Sequence, residues 1–186
     1  MSIRRFILRF SGEERGVVFI ELAVSLVVLI MLILGGSEMA RYLLLQQKLD
    51  RVAMSMGDLV SRGQVLTETE VNNIFAAVPH LAEPFDFAGQ GRVILTAVHR
   101  DGTAPAEIIW QRVGAGQLEA SSEVGLVNEA PNLPENFTVA ANETVFVAEV
   151  FYDFEPFIAP RYVDFNRLYH NSWFRARSID QSLFGG

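Results

Sequence analysis

From Val17 to Gly36 the chain reads VVFIELAVSLVVLIMLILGG, twenty residues in which only Glu21 and Ser25 are notably polar. At 1.5 Å per residue such a helix covers about 30 Å of hydrocarbon, so the pattern predicts a transmembrane helix. Helical periodicity then resumes past the two glycines. Tyr42, Leu45, Leu49, Val52, Met56 and Leu59 recur at spacings of three and four, the apolar stripe of an amphipathic helix. Its partner is the chain's own domain, a second helix, or each in turn along its length. One helix from Val17 to Arg62 is the economical reading, and 46 residues would extend about 69 Å. Gly35 and Gly36 give it a place to bend.

The pattern beyond residue 62 is mixed. Thr67-Glu68-Thr69-Glu70 has the form of a capping box, Thr67 as N-cap and Glu70 three residues on, ahead of Val71, Ile74, Phe75 and Val78. It predicts a short helix ending at Pro79. From Arg92 the period becomes two: RVILTAVHR, a turn signal at Asp101-Gly102, then EIIWQRV from Glu107 to Val113. Gly114 to Asn142 is rich in Gly, Ala, Ser, Asn and Pro and reads as a long, mobile loop. Thr144 to Phe154 alternates most clearly. Phe146, Ala148, Val150, Tyr152 and Phe154 form its core face, which leaves Glu149 and Asp153, with Glu155 just beyond, toward solvent. HNSWFRARSI, from His170, is a candidate last strand returning to the sheet edge, with Arg175 and Arg177 on the side of Trp173, where an arginine can stack on the indole. The fold class is therefore α+β, a long N-terminal helix packed on an antiparallel sheet of three to five strands.

Charge divides along the same boundary. The 186-residue chain carries a formal net charge of −7 and half of its residues are apolar, with a mean hydropathy of +0.24. Four arginines against two glutamates leave +2 on residues 1–16, Glu21 adds −1, and the remaining −8 falls on residues 37–186. A basic leader stays cytoplasmic, so the N-terminus is expected inside and the acidic part exported. That acidic balance argues against nucleic acid as a partner. The chain has no cysteine, which excludes disulfides, thiolate metal sites and a thiol nucleophile. His80, His99 and His170 lack metal-ligand spacing, and no nucleophile elbow, phosphate loop or dinucleotide fingerprint occurs. His99 reads as a residue flanking a turn. Asn and Glu oxygens between Asn128 and Asn136 are the one place a Ca²⁺ ion could be held, without a recognisable ligand loop. No catalytic residue, metal or cofactor is expected.

Glu21 requires an explanation, since a carboxylate within a membrane helix costs about 2.5–3.5 kcal/mol even on insertion scales. It lies five residues after Gly16, behind a short basic leader and at the head of the apolar run. This arrangement resembles the cleavage signal of type IV prepilins and pseudopilins. The resemblance implies that a prepilin peptidase cuts between Gly16 and Val17, and that Glu21 becomes the fifth residue of the mature chain. The new α-ammonium at Val17 would stand one helical turn from a carboxylate able to neutralise it, or that of a neighbouring subunit. Arg15-Gly16 to Glu21, the run Ala40-Arg41-Tyr42-Leu43-Leu44, and the strand from Thr144 to Pro156 further resemble the TadE- and TadF-like minor pseudopilins of the tight-adherence (Tad, Flp) pilus system. In the major Flp pilin a tyrosine follows the glutamate and the chain is much shorter; here Leu22 and a large domain stand instead.

That resemblance implies a non-enzymatic assembly component in the bacterial inner membrane, partnered by prepilin peptidase, other pilins or pseudopilins and pilus assembly proteins. Residues 1–16 form a cleaved leader, 17–36 the transmembrane helix, 37–62 its amphipathic continuation and 63–186 a periplasmic α+β head. The alternative is a single-pass, signal-anchored protein with a ligand-binding or catalytic periplasmic domain. An ordinary secretory signal cut near Gly35-Gly36-Ser37 explains the hydropathy less well, because the helix pattern continues past it.

Overall fold

The computed structural model describes residues 14–62, 67–135, 137–157 and 166–176. The leader before residue 14 and the tail beyond residue 176, with Arg177, lie outside them. The elements in order are α1 (Glu14–Arg62), α2 (Glu68–Ala82), α3 (Phe87–Gln90), β1 (Gly91–Arg100), β2 (Glu107–Gly114), β3 (Glu143–Phe154) and β4 (Asn166–Arg175). The chain divides into two units between Arg41 and Tyr42.

In the first unit α1 continues through Gly35 and Gly36. The Ser37 hydroxyl donates to the Leu34 carbonyl at 2.7 Å, a second hydrogen bond to that carbonyl beside the helical one. The apolar side chains from Val17 to Leu34 are exposed.

The second unit is a four-stranded antiparallel sheet in the order β2-β1-β3-β4, with helices on one face and an irregular strap on the other. The segment Tyr42–Ser61 of α1, with α2 and α3, packs on the face made by Val93, Leu95 and Ala97 of β1 and by Phe146, Ala148, Val150, Tyr152 and Phe154 of β3. Both strands alternate with period two, so every second side chain reaches this core. Tyr42 meets Phe154 edge to face at 5.3 Å, in a geometry that aromatic quadrupoles favour.

The helical stripe is buried as expected at Leu45, Leu49, Val52 and Met56, but not at its last member. Leu59 is 47% exposed, and Ala53, Val60 and Ser61 are buried with the stripe instead. A straight helix turns once per 3.6 residues, so a seam spaced at 3.5 drifts by about 20° per heptad, and the buried stripe moves from Leu59 onto Val60.

Two further boundaries shift. Helix α2 passes through Pro79 to Ala82, because Val78 and Ala82, on either side of the proline, are both held in the core and packing outweighs one missing hydrogen bond. Strand β4 starts at Asn166, four residues before the expected run, and ends at Arg175. Arg175 lies 6.0 Å over the Phe137 ring, and it is Phe137 that contacts Trp173, at 5.0 Å.

The capping box forms as read. The Thr67 hydroxyl accepts from the Glu70 N–H at 3.2 Å, and the Glu70 carboxylate accepts from the Thr67 N–H at 2.9 Å. Those hydrogen bonds hold the Glu70 carboxyl below its ordinary value. Arg112 of β2 pairs with Glu68 at 2.6 Å and ties the start of α2 to the sheet. A Thr67→Ala chain is expected to lose about 1 kcal/mol of stability, read as a thermal midpoint lowered by a few degrees, with the sheet signature unchanged.

The largest departure from the sequence reading is the loop between β2 and β3. It has no regular element, as expected, but it is fastened at many points instead of being mobile. Gln117 and Leu118 N–H groups donate to the Ala88 and Gly91 carbonyls at 3.0 and 3.2 Å. Ile108 and Asn128–Glu129 exchange two backbone bonds of 2.8 and 3.0 Å, and Gln111 donates to the Gly125 carbonyl at 3.1 Å. Val124 and Val139 are buried with Val98, Ile108, Val145 and Val147 in a second core. The supposed solvent face of β3 is thus covered, and Glu149 is covered with it.

Candidate functional site

Residues singled out by the sequence fall into two groups with opposite environments. Gly16, Val17 and Glu21 lie at the exposed start of α1. Val17 and Glu21 are four residues apart and share a helix face. Val17 is 65% exposed. A Cβ placed on Gly16 would meet nothing within 4 Å among the described residues. Glu21 has no hydrogen-bond or ion-pair partner among the described residues.

The stripe residues Tyr42, Leu45, Leu49, Val52 and Met56 belong to the head's own core. Beside them runs a second ridge, Gln46, Asp50, Ala53 and Gly57, spaced at four, three and four, which faces β4. Gln46 Oε1 bonds His170 Nε2 at 2.5 Å, Asp50 lies 4.0 Å from His170 Nδ1, and the Ser172 hydroxyl donates to the Ala53 carbonyl at 2.6 Å. Desolvation lowers the His170 pKa against the opposing pull of Asp50. At Gly57 an added Cβ would collide with the Phe174 ring. The small or polar character of these four positions was the available signal for this ridge.

The chemistry-bearing residues of the head are engaged in structural bonds. Asp153 forms a bidentate pair with Arg167 at 2.8 and 3.0 Å, which raises the arginine's pKa. Glu155 accepts from Gln90 at 3.4 Å. Glu149, on the same strand as Asp153, is buried and receives Ser122, Glu123 and Tyr169. Around the Asn128–Asn136 loop, Glu129 accepts from the Leu126 N–H at 3.2 Å, and Asn132 donates to the Glu123 carbonyl at 3.3 Å. Among the described residues no three His, Cys, Asp or Glu side chains converge to hold a metal ion. His80 pairs with Glu83 at the surface at 3.3 Å, and His99 contacts the Thr144 hydroxyl at 2.9 Å.

The chain thus combines a helix long and apolar enough to cross a membrane with a four-stranded α+β head whose helix layer includes residues 42–61 of the same helix. A family model described as TadE-like protein matches residues 16–55, and over that segment the chain is similar to that family. The match opens on Gly16 and takes in Val17, Glu21 and the stripe as far as Val52; the sheet lies beyond it. No curated protein and no solved structure matches the chain.

Proposed function

We propose that the protein is a minor pseudopilin, cut by prepilin peptidase between Gly16 and Val17 and taken into assembly of a Tad/Flp-type pilus that serves surface attachment. The observation that carries this reading is the start of the TadE-like match at Gly16, where a Cβ would meet nothing within 4 Å among the described residues. Residues 1–16 are the cytoplasmic leader, 17–36 span the inner membrane, 37–62 continue the helix, and the head from residue 63 is periplasmic. The basic leader and the −8 carried by residues 37–186 support that orientation. The chain's role is structural; Glu21 pairs with the ammonium created at Val17 or with that of a neighbouring subunit, and other pilins and assembly proteins are its partners.

N-terminal sequencing and intact mass of the membrane-extracted chain, with and without an active cognate peptidase, test this directly. The expected result is a peptidase-dependent new N-terminus at Val17. An uncut leader in the presence of that peptidase would overturn it and leave a signal-anchored membrane protein with a periplasmic domain of its own function.

A further inference from the structure

The sheet face turned away from the helices holds a fully buried carboxyl. Glu149 is 0% exposed, and on either side of it in register stand Ile94 of β1 and Asn171 of β4, neither of which offers a cation. Its hydrogen bonds come from the strap and from one edge strand. The Glu123 N–H donates at 2.8 Å and the Ser122 hydroxyl at 2.5 Å, both from the strap, and the Tyr169 hydroxyl donates at 3.1 Å from β4. Tyr169 in turn accepts from Asn171 at 3.1 Å.

Among the described residues the nearest cations are engaged elsewhere. One rung along the sheet, Arg92 of β1 gives its Nε to the Leu118 carbonyl of the strap. Beyond it Arg167 of β4 is paired with Asp153 of β3. The strap contributes two further carboxylates, Glu119, which lines a cavity with Arg92 and Arg167, and Glu123, whose charge acts on Tyr169 in the same sense as that of Glu149. The helices lie on the opposite face. A position covered on both sides ordinarily carries an apolar residue, and a charge placed there needs partners. Here two of the three partners exist only while the strap is down.

We propose that Glu149 is a proton-responsive latch for the part of the strap around Ser122 and Glu123, so that docking of that part on the sheet is linked to the ionisation of this carboxyl. Burial raises the pKa of Glu149 above the ordinary carboxylate value by more than its hydrogen-bond donors lower it. With the strap undocked, the carboxyl is solvated and returns toward that ordinary value. The docked form therefore binds the proton more tightly. Docking is strongest below the ordinary carboxylate pKa, weakens as pH rises through the raised value, and is constant above it. Tyr169 is pushed far above its ordinary value, chiefly by burial, and remains a donor throughout this range. Lifting the strap uncovers Val98, Ile108, Val145 and Val147, an apolar sheet face that acid keeps closed.

Hydrogen exchange on the full chain in detergent micelles tests the latch, with intrinsic rates corrected at each pH from about 4 to 8. The readout is protection of the strap amides of Glu123, Val124 and Asn132 relative to sheet amides of β1 and β3. The expected ratio falls by up to about tenfold per pH unit across the window between the undocked and docked pKa values, then levels. In Glu149→Gln the ratio is expected to be independent of pH. Should that chain fail to fold, judged by its sheet amides, Tyr169→Phe carries the test: it removes a donor to the anion and should move the midpoint to higher pH. A wild-type ratio that does not change with pH, a slope that persists in Glu149→Gln, or an unmoved midpoint in Tyr169→Phe would each overturn the proposal.

Discussion

If the chain is processed as proposed, a Glu21→Leu chain is expected to reach the membrane, to be cut after Gly16, and then to fail at assembly. Insertion should improve, since a carboxylate within a membrane helix costs about 2.5–3.5 kcal/mol. Assembly should suffer because, in the proposed pairing, the carboxylate draws the Val17 ammonium of its own or a neighbouring subunit. Two unit charges at about 4 Å attract by roughly 4 kcal/mol at an effective dielectric of 20, and desolvation takes back part of that. A surviving advantage of about 1.4 kcal/mol already means a tenfold difference in incorporation. The measurement is the amount of mature chain in a sheared filament fraction against the amount in the membrane. A drop of tenfold or more in the first at constant membrane level is the expected result. Equal incorporation would remove the charge pairing as the reason for Glu21, whatever the cleavage assay has shown.

The second large effect is expected inside the head. Gly57→Val should destabilise it by about 2–3 kcal/mol, because the added side chain enters space held by the Phe174 ring and lies about 3.0 Å from the Ser172 hydroxyl. The ring stands on β4, where Phe174 pairs in register with Phe146, so a side chain added at Gly57 must displace either the ring or the helix. Relief by lifting α1 from the sheet would strain the Ser172 to Ala53 bond of 2.6 Å, costing about 1 kcal/mol more if it breaks. Against a total stability of about 5–15 kcal/mol this is a large fraction. Urea denaturation of the full chain in micelles, followed by far-UV dichroism of the sheet, should show a lowered midpoint with the slope preserved. An unchanged midpoint would mean that the helix does not approach β4 as closely as the geometry requires. Gly35→Ala serves as the comparison, since a Cβ there meets nothing within 4 Å.

Local patterns carried a good deal of this. The apolar run, the capping box at Thr67, and the strands from Arg92, Glu107 and Thr144 are consequences of periodicity and of hydrogen bonds made within a few residues. So is the stripe from Tyr42 to Met56. Gly16, Val17 and Glu21 stood out for a different reason: their pattern is local, a glycine, an apolar run and one carboxylate within six residues, and it lies outside the folded head. The misread boundaries share one cause. At Leu59, at Pro79 and at the start of β4, the deciding neighbour is far away in the chain. The same holds within β2, where a bulge opposite Ala97 and Val98 shifts the register and sends Ile108 and Trp110 to opposite faces, although their spacing of two puts them on the same one.

By itself, then, the sequence determined that this is a membrane-length helix running into an α+β head, with a cleavage-like signal at Gly16 and a single carboxylate, Glu21, in the apolar run. Tertiary structure decided how the sheet is covered. A stretch rich in Gly, Ser, Asn and Pro carries no periodicity of its own, so nothing local indicates that it will lie down on β3. Once it does, Val145 and Val147 change from surface to core and Glu149 from a solvated acid to a buried one. Burial is a property of two segments meeting across the fold, and the two donors Ser122 and Glu123 come to Glu149 from 27 and 26 residues away in the chain.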